Sequence, residues 1–197
     1  MSIRKELTSA ALGVLTLMVL CGLLYPLLLT GIGQVAFPDN ANGQPLYVHG
    51  HLIGSRIIGQ SFGGDPRYFQ TRPSGTTPAD NAAASSFANY GPNSKVTERA
   101  IAADIAAYIA LNGRYYPGGL SAAKVPVDAV DTSASGIDPA ISVANARIQA
   151  YRVAAVRHLP LAKVRALIVR YTAGRGLGFS GEPAVNVLEL NLALDRL

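Results

Sequence analysis

Hydrophobic residues are concentrated in one long run near the N-terminus. No Asp, Glu, Lys, Arg or His occurs from Leu7 to Pro38, and leucine dominates residues 12–33. A helix needs about 20 apolar residues to cross the roughly 30 Å hydrocarbon core of a bilayer. The run therefore predicts a transmembrane helix over residues 12–33, with a bend at Pro26 because proline removes a backbone donor.

A cleaved signal peptide is the main alternative interpretation of this run. Its apolar core would be about 7–15 residues long and would end at a small-x-small cleavage site. The run is longer than that, and no Ala-x-Ala follows it. A lipoprotein signal is also disfavoured, because Leu20 precedes Cys21 where a small residue is expected. We therefore expect a retained membrane anchor.

The charges that flank the run predict its orientation. Arg4 and Lys5 lie directly before it, and the first Lys or Arg after it is Arg56. Because basic residues stay on the cytoplasmic side, residues 1–11 are expected in the cytoplasm and residues 34–197 in the periplasm of a bacterial inner membrane. The only cysteine, Cys21, lies within the span, so the outer part has no disulfide.

Beyond the span the pattern is that of a single extracytoplasmic domain of the α+β class. Helical spacing of apolar residues predicts three helices. They cover residues 95–111 with Ser94 as N-cap, residues 143–158 with Ser142 as N-cap, and residues 160–172. Residues 63–93, rich in Gly, Pro, Ser and Asn, predict an ordered irregular region.

Three segments have the pattern of strands. Residues 52–58 form a short apolar stretch interrupted by Gly54, and residues 125–130 contain Pro126, which favours an edge strand. From residue 188 to 194 every second residue is leucine, a period of two that is typical of a strand with one buried face. The last strand is therefore predicted over residues 185–194.

Composition excludes two broad classes of protein. Apolar residues make up 49% and charged residues 15% of the chain, whereas disorder requires low hydrophobicity and high charge. The net charge is +5, but the basic residues are scattered and tryptophan is absent. A nucleic-acid groove needs clustered bases with aromatic residues between them, so nucleic-acid binding is disfavoured.

Residues 176–181 match the Gly-x-Gly-x-x-Gly pattern of dinucleotide-binding loops. That motif requires a strand before it and a helix after it, so that the phosphates meet a helix N-terminus. Here a helix precedes the glycines and a strand is predicted after them. The glycines are therefore interpreted as a helix-to-strand turn.

Two serine patterns suggest hydrolase chemistry only weakly. Ser121 and Lys124 match the Ser-x-x-Lys motif of penicillin-binding enzymes, but the other two motifs of those enzymes are missing. Ser133 or Ser135 and Asp138 would form a triad only if the distant His158 approached them in the fold. The alternative is a Ser/Asp-rich turn that caps the second helix.

Candidate metal ligands are few. His49 and His51 lie two residues apart on an extended segment, but zinc requires a third protein ligand. Three aspartates, Asp128, Asp131 and Asp138, are too widely spaced for a calcium loop. We interpret them as turn and cap residues, and no metal site is assigned.

A series of strings along the chain carries a family resemblance. In order, it includes residues 30–34, 37–38, 58–62, 68–73, 125–128, 133–139 and 185–194. Together these strings resemble the KdpC family, the C subunit of the Kdp potassium-transporting P-type ATPase. The chain departs from the family pattern at residues 84–87 and at Ile137, which affects local loop geometry.

The resemblance implies a non-catalytic accessory subunit of a high-affinity, ATP-driven potassium uptake complex. Its partners would be a channel-like potassium-binding subunit, a P-type ATPase subunit and a small membrane subunit. It would aid assembly and raise the ATP affinity of the pump subunit, with no cofactor of its own, since ATP and potassium are handled with or by its partners. The alternative is a membrane-anchored periplasmic enzyme or binding protein.

One residue is linked by the resemblance to the nucleotide. Gln149, at the end of the string at residues 141–149, matches a glutamine associated with the effect on ATP affinity. The predicted orientation places Gln149 in the periplasm, where ATP is scarce. The alternative is a residue beside the apolar face of the second helix that hydrogen-bonds a neighbouring loop.

Overall fold

The computed structural model describes residues 2–87, 89–91 and 93–197. It contains one long apolar helix near the N-terminus, followed by a mixed region of helices and short sheets. The chain divides into two compact units, of which the first ends at Pro45 and the second is Leu46–Leu197. The α+β class with one N-terminal apolar helix is thus confirmed.

The first unit is almost entirely helical. It consists of α1 (Ile3–Val19), a π-helical turn (Leu20–Leu24), α2 (Tyr25–Ala36) and a short α3 (Pro38–Ala41). Helical backbone is continuous over 34 residues, Ile3–Ala36, with a mean hydropathy of 2.4 in its most apolar part. At 1.5 Å per residue this is about 50 Å, more than a bilayer core requires. The helix extends beyond the predicted residues 12–33 at both ends.

The π-helical turn ends two residues before Pro26. Proline has no N–H for the carbonyl four residues earlier, and its ring would crowd that carbonyl in a regular α-helix. A π-helical turn widens the helix by shifting its hydrogen bonds to the fifth residue. A π-helical turn thus lies just before Pro26 and the helix continues beyond it, while the predicted bend stays a prediction.

A β-hairpin opens the second unit. Its strands are β1 (Pro45–Val48) and β2 (His51–Ser55), which pair with each other. The two connecting residues, His49 and Gly50, have φ values of 50° and 81°. Positive φ at both positions is the geometry of tight hairpin turns. Strand β2 is shorter than the predicted residues 52–58, and His49 lies in the turn instead of on the strand with His51.

A long irregular region precedes the first helix of the second unit. In the described part of residues 63–93, the regular structure is one 3₁₀ turn at Ala82–Ala84. Helix α4 (Lys95–Asn112) follows Ser94, close to its predicted bounds, and continues into a 3₁₀ turn at Gly113–Tyr115. Both the irregular region and the helix are therefore confirmed.

The core of the second unit is a small sheet covered by helices. Strands β3 (Ala140–Ser142), β4 (Thr172–Ala173) and β5 (Ala184–Asn186) are antiparallel in the order β3-β5-β4, with Val185 paired to both Ile141 and Thr172. Helix α5 (Val143–Val156) directly follows β3, and α6 (Leu161–Arg170) packs against it. The buried apolar cluster contains Phe69, Ile141, Ala146, Ala150, Val153, Ala154, Val164, Ile168, Val185, Val187, Leu190 and Leu194.

The strand predicted over residues 185–194 is wrong for most of its length. After β5 the chain forms α7 (Val187–Leu194), whose N-cap Asn186 accepts a hydrogen bond from the Glu189 N–H at 3.0 Å. A capping Asn with Glu three residues later is a helix-start signal, and leucine is a strong helix former. The alternation was misleading because α7 is buried on most sides, so leucines two apart are both in the core.

The short strand predicted over residues 125–130 is also wrong. This segment forms a 3₁₀ turn at Val127–Ala129, in which the Ala129 N–H bonds to the Pro126 carbonyl at 3.0 Å. Proline has no N–H to donate to a neighbouring strand, which disfavours a paired strand at Pro126. The turn orients Asp128 toward the start of α5.

Candidate functional site

The start of α5 is fixed by side-chain hydrogen bonds. The Ser142 Oγ accepts from the Asn145 N–H at 3.1 Å, which confirms the predicted N-cap. The Asp128 carboxylate in turn accepts from the Ser142 N–H and from the Ser142 hydroxyl, both at 2.7 Å. A carboxylate at this end also interacts favourably with the helix dipole. Asp128 therefore has a capping role that positions α5.

Gln149 lies on the inner side of α5 and is 1% exposed. Its carboxamide binds both backbone groups of one residue in the irregular region: the Gln70 N–H donates to Oε1 at 2.8 Å, and Nε2 donates to the Gln70 carbonyl at 3.1 Å. An extended segment would normally find such partners in a neighbouring strand. The Gln149 side chain therefore takes the place of a strand partner for Gln70.

Asn191 makes the same kind of contact from α7. The Phe69 N–H donates to its Oδ1 at 2.9 Å, and its Nδ2 donates to the Phe69 carbonyl at 2.9 Å. Asn191 is 1% exposed, and the Phe69 ring is fully buried in the core. Two carboxamides from two helices thus hold two consecutive residues of the irregular region.

Arg152 is the third buried polar residue at this position and is fully buried. Its guanidinium donates to the Tyr68 carbonyl at 2.9 Å, to Asn112 Oδ1 at 2.9 Å, to Gln149 Oε1 at 2.8 Å and to the Pro66 carbonyl. All four acceptors are neutral. Burial lowers the pKa of Arg152 to about 10, so the group remains charged at neutral pH.

The network reaches α4 through Asn145 and Tyr108. Asn145 Oδ1 accepts from Gln149 Nε2 at 2.9 Å and from the Tyr108 hydroxyl at 2.8 Å, and Asn145 Nδ2 donates to Asp128 at 3.0 Å. Burial, with a smaller contribution from the negative charge of Asp128, raises the pKa of the Tyr108 hydroxyl. We call this set the carboxamide network: Tyr108, Asn112, Asp128, Asn145, Gln149, Arg152 and Asn191.

The hydrogen-bonding capacity of Gln149 is fully used. A carboxamide accepts two hydrogen bonds and donates two. Gln149 accepts from Gln70 and Arg152, and it donates to Gln70 and Asn145. A carboxamide also takes no part in proton transfer at neutral pH. The side chain is thus built to hold the segment around Gln70, and the predicted role toward the nucleotide stays a prediction.

The serine patterns are placed apart from this network. Ser121 precedes a 3₁₀ turn at Ala122–Lys124, and both Ser121 and Lys124 are exposed. The Ser133 hydroxyl accepts from the Gly136 N–H at 3.0 Å and lies 3.2 Å from the Ser135 hydroxyl. These are the contacts of a turn, as the sequence suggested for the Ser/Asp-rich segment.

Asp138 and the glycine-rich motif have partners within the second unit. Asp138 accepts from the Ala140 N–H at 2.9 Å and lies 3.4 Å from an Arg72 nitrogen. The glycines at 176–181 belong to the loop between β4 and β5, where Gly176 and Ser180 form an antiparallel bridge. The predicted helix-to-strand turn is wrong on its N-terminal side, because the two-residue strand β4 follows α6 before the glycines, but a strand follows them as predicted.

Sequence reasoning missed Asn191, Arg152 and Asn112. Each of these polar residues is buried and has apolar neighbours in the sequence. Each lies at the end or in the interior of a helix. Such a residue is expected to be exposed unless it has partners, because burying an unpaired polar group is costly. The signal that could have found them is the occurrence of Asn191 within the leucine-rich segment.

Comparisons with known proteins show an extensive similarity. Residues 7–196 match the model of a family described as KdpC: K+-transporting ATPase, c chain. A curated "Potassium-transporting ATPase KdpC subunit" of Mycobacterium tuberculosis (strain ATCC 25618 / H37Rv) is 48% identical over 194 residues, which cover 98% of this chain and 100% of the relative.

Relatives from other bacteria agree. A protein with the same description from Koribacter versatilis is 46% identical over 98% of this chain and 95% of the relative. Another from Methylococcus capsulatus is 50% identical over 95% of this chain and 96% of its own length. The similarity therefore extends through both units.

Proposed function

We propose that the chain, which belongs to the KdpC family of K+-transporting ATPase c chains, is a non-catalytic accessory subunit of an ATP-driven potassium uptake complex. The observation that carries this proposal is similarity along nearly the whole chain to potassium-transporting ATPase KdpC subunits. Its partners are a channel-like potassium-binding subunit, a P-type ATPase subunit and a small membrane subunit. The chain aids their assembly and raises the ATP affinity of the pump subunit.

A non-catalytic role accords with the chemistry of the carboxamide network. Its central groups are amides and a guanidinium, which do not transfer protons at neutral pH. Asp128 is its one carboxylate, and that group is hydrogen-bonded at the start of α5. The network stabilises a particular backbone path for residues 66–70. Such a path suits a binding surface that must keep its shape.

The proposed location is the bacterial inner membrane, with the N-terminus in the cytoplasm and the second unit in the periplasm. The continuous apolar helix Ile3–Ala36 and the basic Arg4 and Lys5 support this topology. A reporter that is active only outside the cytoplasm, fused after Leu197, should then be active. Activity of a cytoplasm-only reporter at the same position would contradict this topology.

With that topology, the effect on ATP affinity is indirect. The second unit and the cytoplasmic nucleotide would lie on opposite sides of the membrane, so the chain would act by favouring one conformation of the pump subunit. Two sites coupled in this way change each other's affinity by the same factor. Gln149 would contribute by keeping the segment around Gln70 in place.

Co-purification tests the main proposal. The tagged full chain is co-expressed with the three partner subunits in a membrane host, and the complex is isolated in mild detergent. We expect all three partners to co-purify and potassium-stimulated ATP hydrolysis to require the complex, with none by the isolated chain. Turnover by the isolated chain that Ser121→Ala abolishes would favour the anchored-enzyme alternative instead.

The ATP effect is tested with Gln149→Ala in the assembled complex. Exposed Gln60→Ala provides a matched control. If the chain acts on ATP affinity through the segment that Gln149 holds, the Gln149 variant should raise the KM for ATP while subunit content stays constant. An unchanged KM at equal subunit content would remove Gln149 from the proposal.

A further inference from the structure

A groove on the surface of the second unit has a composition that the carboxamide network does not explain. It is about 1010 Å³ in volume and lies between α5, α6 and the loop that connects β4 to β5. Its lining is Val143, Arg147, Arg165, Ile168, Val169, Thr172, Gly174, Glu182 and Pro183. We call it the α5–α6 groove. The lining combines apolar side chains with the cationic Arg147 and Arg165.

The charges in the α5–α6 groove do not balance. Arg147 on α5 and Arg165 on α6 are both exposed, and Arg165 donates to the Tyr151 hydroxyl at 2.8 Å, which holds its guanidinium in place. Glu182 is the acid of the lining, and both its oxygens lie within 2.8 Å of one Arg175 nitrogen. Arg147 and Arg165 therefore have no acidic partner in the groove lining, and they give this lining a positive charge.

Large apolar side chains are exposed on α6 and on the loop that connects β4 to β5. Val169, which lines the groove, is 72% exposed, and Leu177 and Phe179 at the tip of the β4–β5 loop are 91% and 75% exposed. Single exposed apolar residues are common. Here Val169 belongs to the groove lining, and Leu177 and Phe179 lie on the same loop that supplies Gly174, Glu182 and Pro183 to it.

The loop that carries the apolar tip has a defined shape. The Gly176 N–H donates to the Ser180 carbonyl and the Ser180 N–H to the Gly176 carbonyl, both at 2.8 Å. Leu177 has φ of 53° and Gly178 has φ of 82°. Positive φ is unfavourable for a leucine, and no packing of its side chain compensates, since Leu177 is almost fully exposed. The loop therefore presents Leu177 to solvent in a left-handed backbone conformation.

We infer that the α5–α6 groove and the apolar tip of the β4–β5 loop form a docking surface for an acidic segment of another subunit of the potassium pump. This inference rests on the proposed function, because it names a contact within that complex. The carboxylates of the segment pair with Arg147 and Arg165, and its apolar residues cover Val169, Leu177 and Phe179.

A protein segment fits this surface better than a lipid bilayer does. The two arginines line a concave groove, and a flat bilayer surface would meet the protruding tip without filling that groove. Arginine and phenylalanine are also enriched in protein interfaces, and this surface carries Arg147, Arg165 and Phe179. Lipid contact is therefore one of the outcomes that the test distinguishes.

The test uses the full chain co-expressed with the other pump subunits. Arg147→Glu combined with Arg165→Glu reverses the charge of the groove, and Arg99→Glu combined with Arg196→Glu makes the same change in net charge at exposed sites outside the groove lining. The groove variant should reduce the recovery of at least one partner subunit about tenfold, while the control variant retains wild-type recovery. The milder Arg147→Gln with Arg165→Gln should give an intermediate loss.

A photoreactive residue in place of Phe179 identifies what covers the tip. We expect it to crosslink to an acid-rich segment of a pump subunit in the assembled complex, with the site located by mass spectrometry. Crosslinks to lipid alone, or wild-type recovery of the groove variant, would overturn the inference. If wild-type chain recovers no pump subunit, the proposed function itself fails, and that result is distinct from a failure confined to the groove variants.

Discussion

Two arginines of α5, Arg152 and Arg147, lie in opposite surroundings. Arg152 is fully buried and donates to four neutral oxygen atoms of the chain. Arg147 is exposed and lines a groove with a second exposed arginine, Arg165. The residues are five positions apart, so they lie on different faces of one helix. One face of α5 thus organises the interior of the domain, while the other carries charge at the surface.

The contrast in burial between Arg152 and Arg147 indicates a different role for each. A buried polar group is tolerated only with partners, so the complete set of partners around Arg152 indicates that it determines the local fold. A charge at the surface of a groove needs no partner for stability, since water solvates it. Arg147 and the exposed apolar residues near it are therefore better explained by binding than by folding.

The largest expected effect comes from Arg152→Met. This variant leaves the carbonyls of Pro66 and Tyr68 and the side-chain oxygens of Asn112 and Gln149 without their donor. We expect the free energy of unfolding to fall by about 3–5 kcal/mol, because several buried acceptors lose their partner at once. Denaturant unfolding of the full chain in detergent, followed by circular dichroism, measures this loss.

Arg147→Met is the matched control on the same helix. Its side chain is exposed, so the free energy of unfolding should change by no more than about 0.5 kcal/mol. An equal fall in the free energy of unfolding for Arg152→Met and Arg147→Met would show that the two faces of α5 contribute equally to stability.

A smaller effect is expected from Asn191→Leu. The variant leaves the N–H and the carbonyl of Phe69 without their partner inside the core. The free energy of unfolding should fall by about 2–3 kcal/mol, because the added apolar surface offsets part of the lost hydrogen bonding. Amide hydrogen exchange at Phe69 should also become faster than at core amides of α5. Exposed Asn89→Leu is the control, and unchanged exchange at Phe69 would contradict the role given to Asn191.

Local signals along the chain predicted much of the fold. The long apolar run predicted the N-terminal helix, and Ser142 before an amphipathic stretch predicted the start of α5. Helix α7 was misread because its leucines recur every second residue, and burial on most sides hides helical periodicity. The helix-start signal of Asn186 and Glu189 was present but was outweighed by that alternation.

The carboxamide network lay beyond sequence reasoning for a different reason. Gln149 and Gln70 are separated by 79 positions, and Asn191 and Phe69 by 122. Nothing in the local pattern of either segment shows that an amide will pair with a particular backbone unit so far away. Sequence reasoning could identify Gln149 as a residue beside the apolar face, but its partners depend on the tertiary fold.

Leu177→Gly is expected to have little effect on stability. Glycine adopts the positive φ of this position without steric cost, but it also increases the entropy of the unfolded chain. The two effects oppose each other, so the free energy of unfolding of the variant should exceed that of the wild type by between zero and about 1 kcal/mol. Recovery of pump subunits should fall nonetheless, because the exposed leucine is lost from the tip. Destabilisation above about 1 kcal/mol would show that Leu177 serves the fold of the loop.

The smallest expected effect is at Asp104, on the edge of the carboxamide network. Asp104 is on α4, one turn before Tyr108, and both line a depression of about 400 Å³. Burial raises the pKa of the Asp104 carboxyl, so the folded chain holds its proton more tightly than the unfolded chain does. Its contribution to stability is therefore most favourable below the ordinary aspartate pKa and declines as the pH rises through the raised pKa of the folded state.

Asp104→Asn removes the pH-dependent contribution of this carboxyl group to stability. The variant should be slightly more stable than the wild type above the raised pKa of the folded Asp104, where the half-buried carboxylate is charged, and the difference should vanish below about pH 4, near the ordinary aspartate pKa. Because the side chain is only half-buried, water reduces the effect. Unfolding curves for both proteins between pH 3 and pH 7 measure it. A variant that is less stable at neutral pH would show that the Asp104 carboxylate has a favourable partner at the edge of the network.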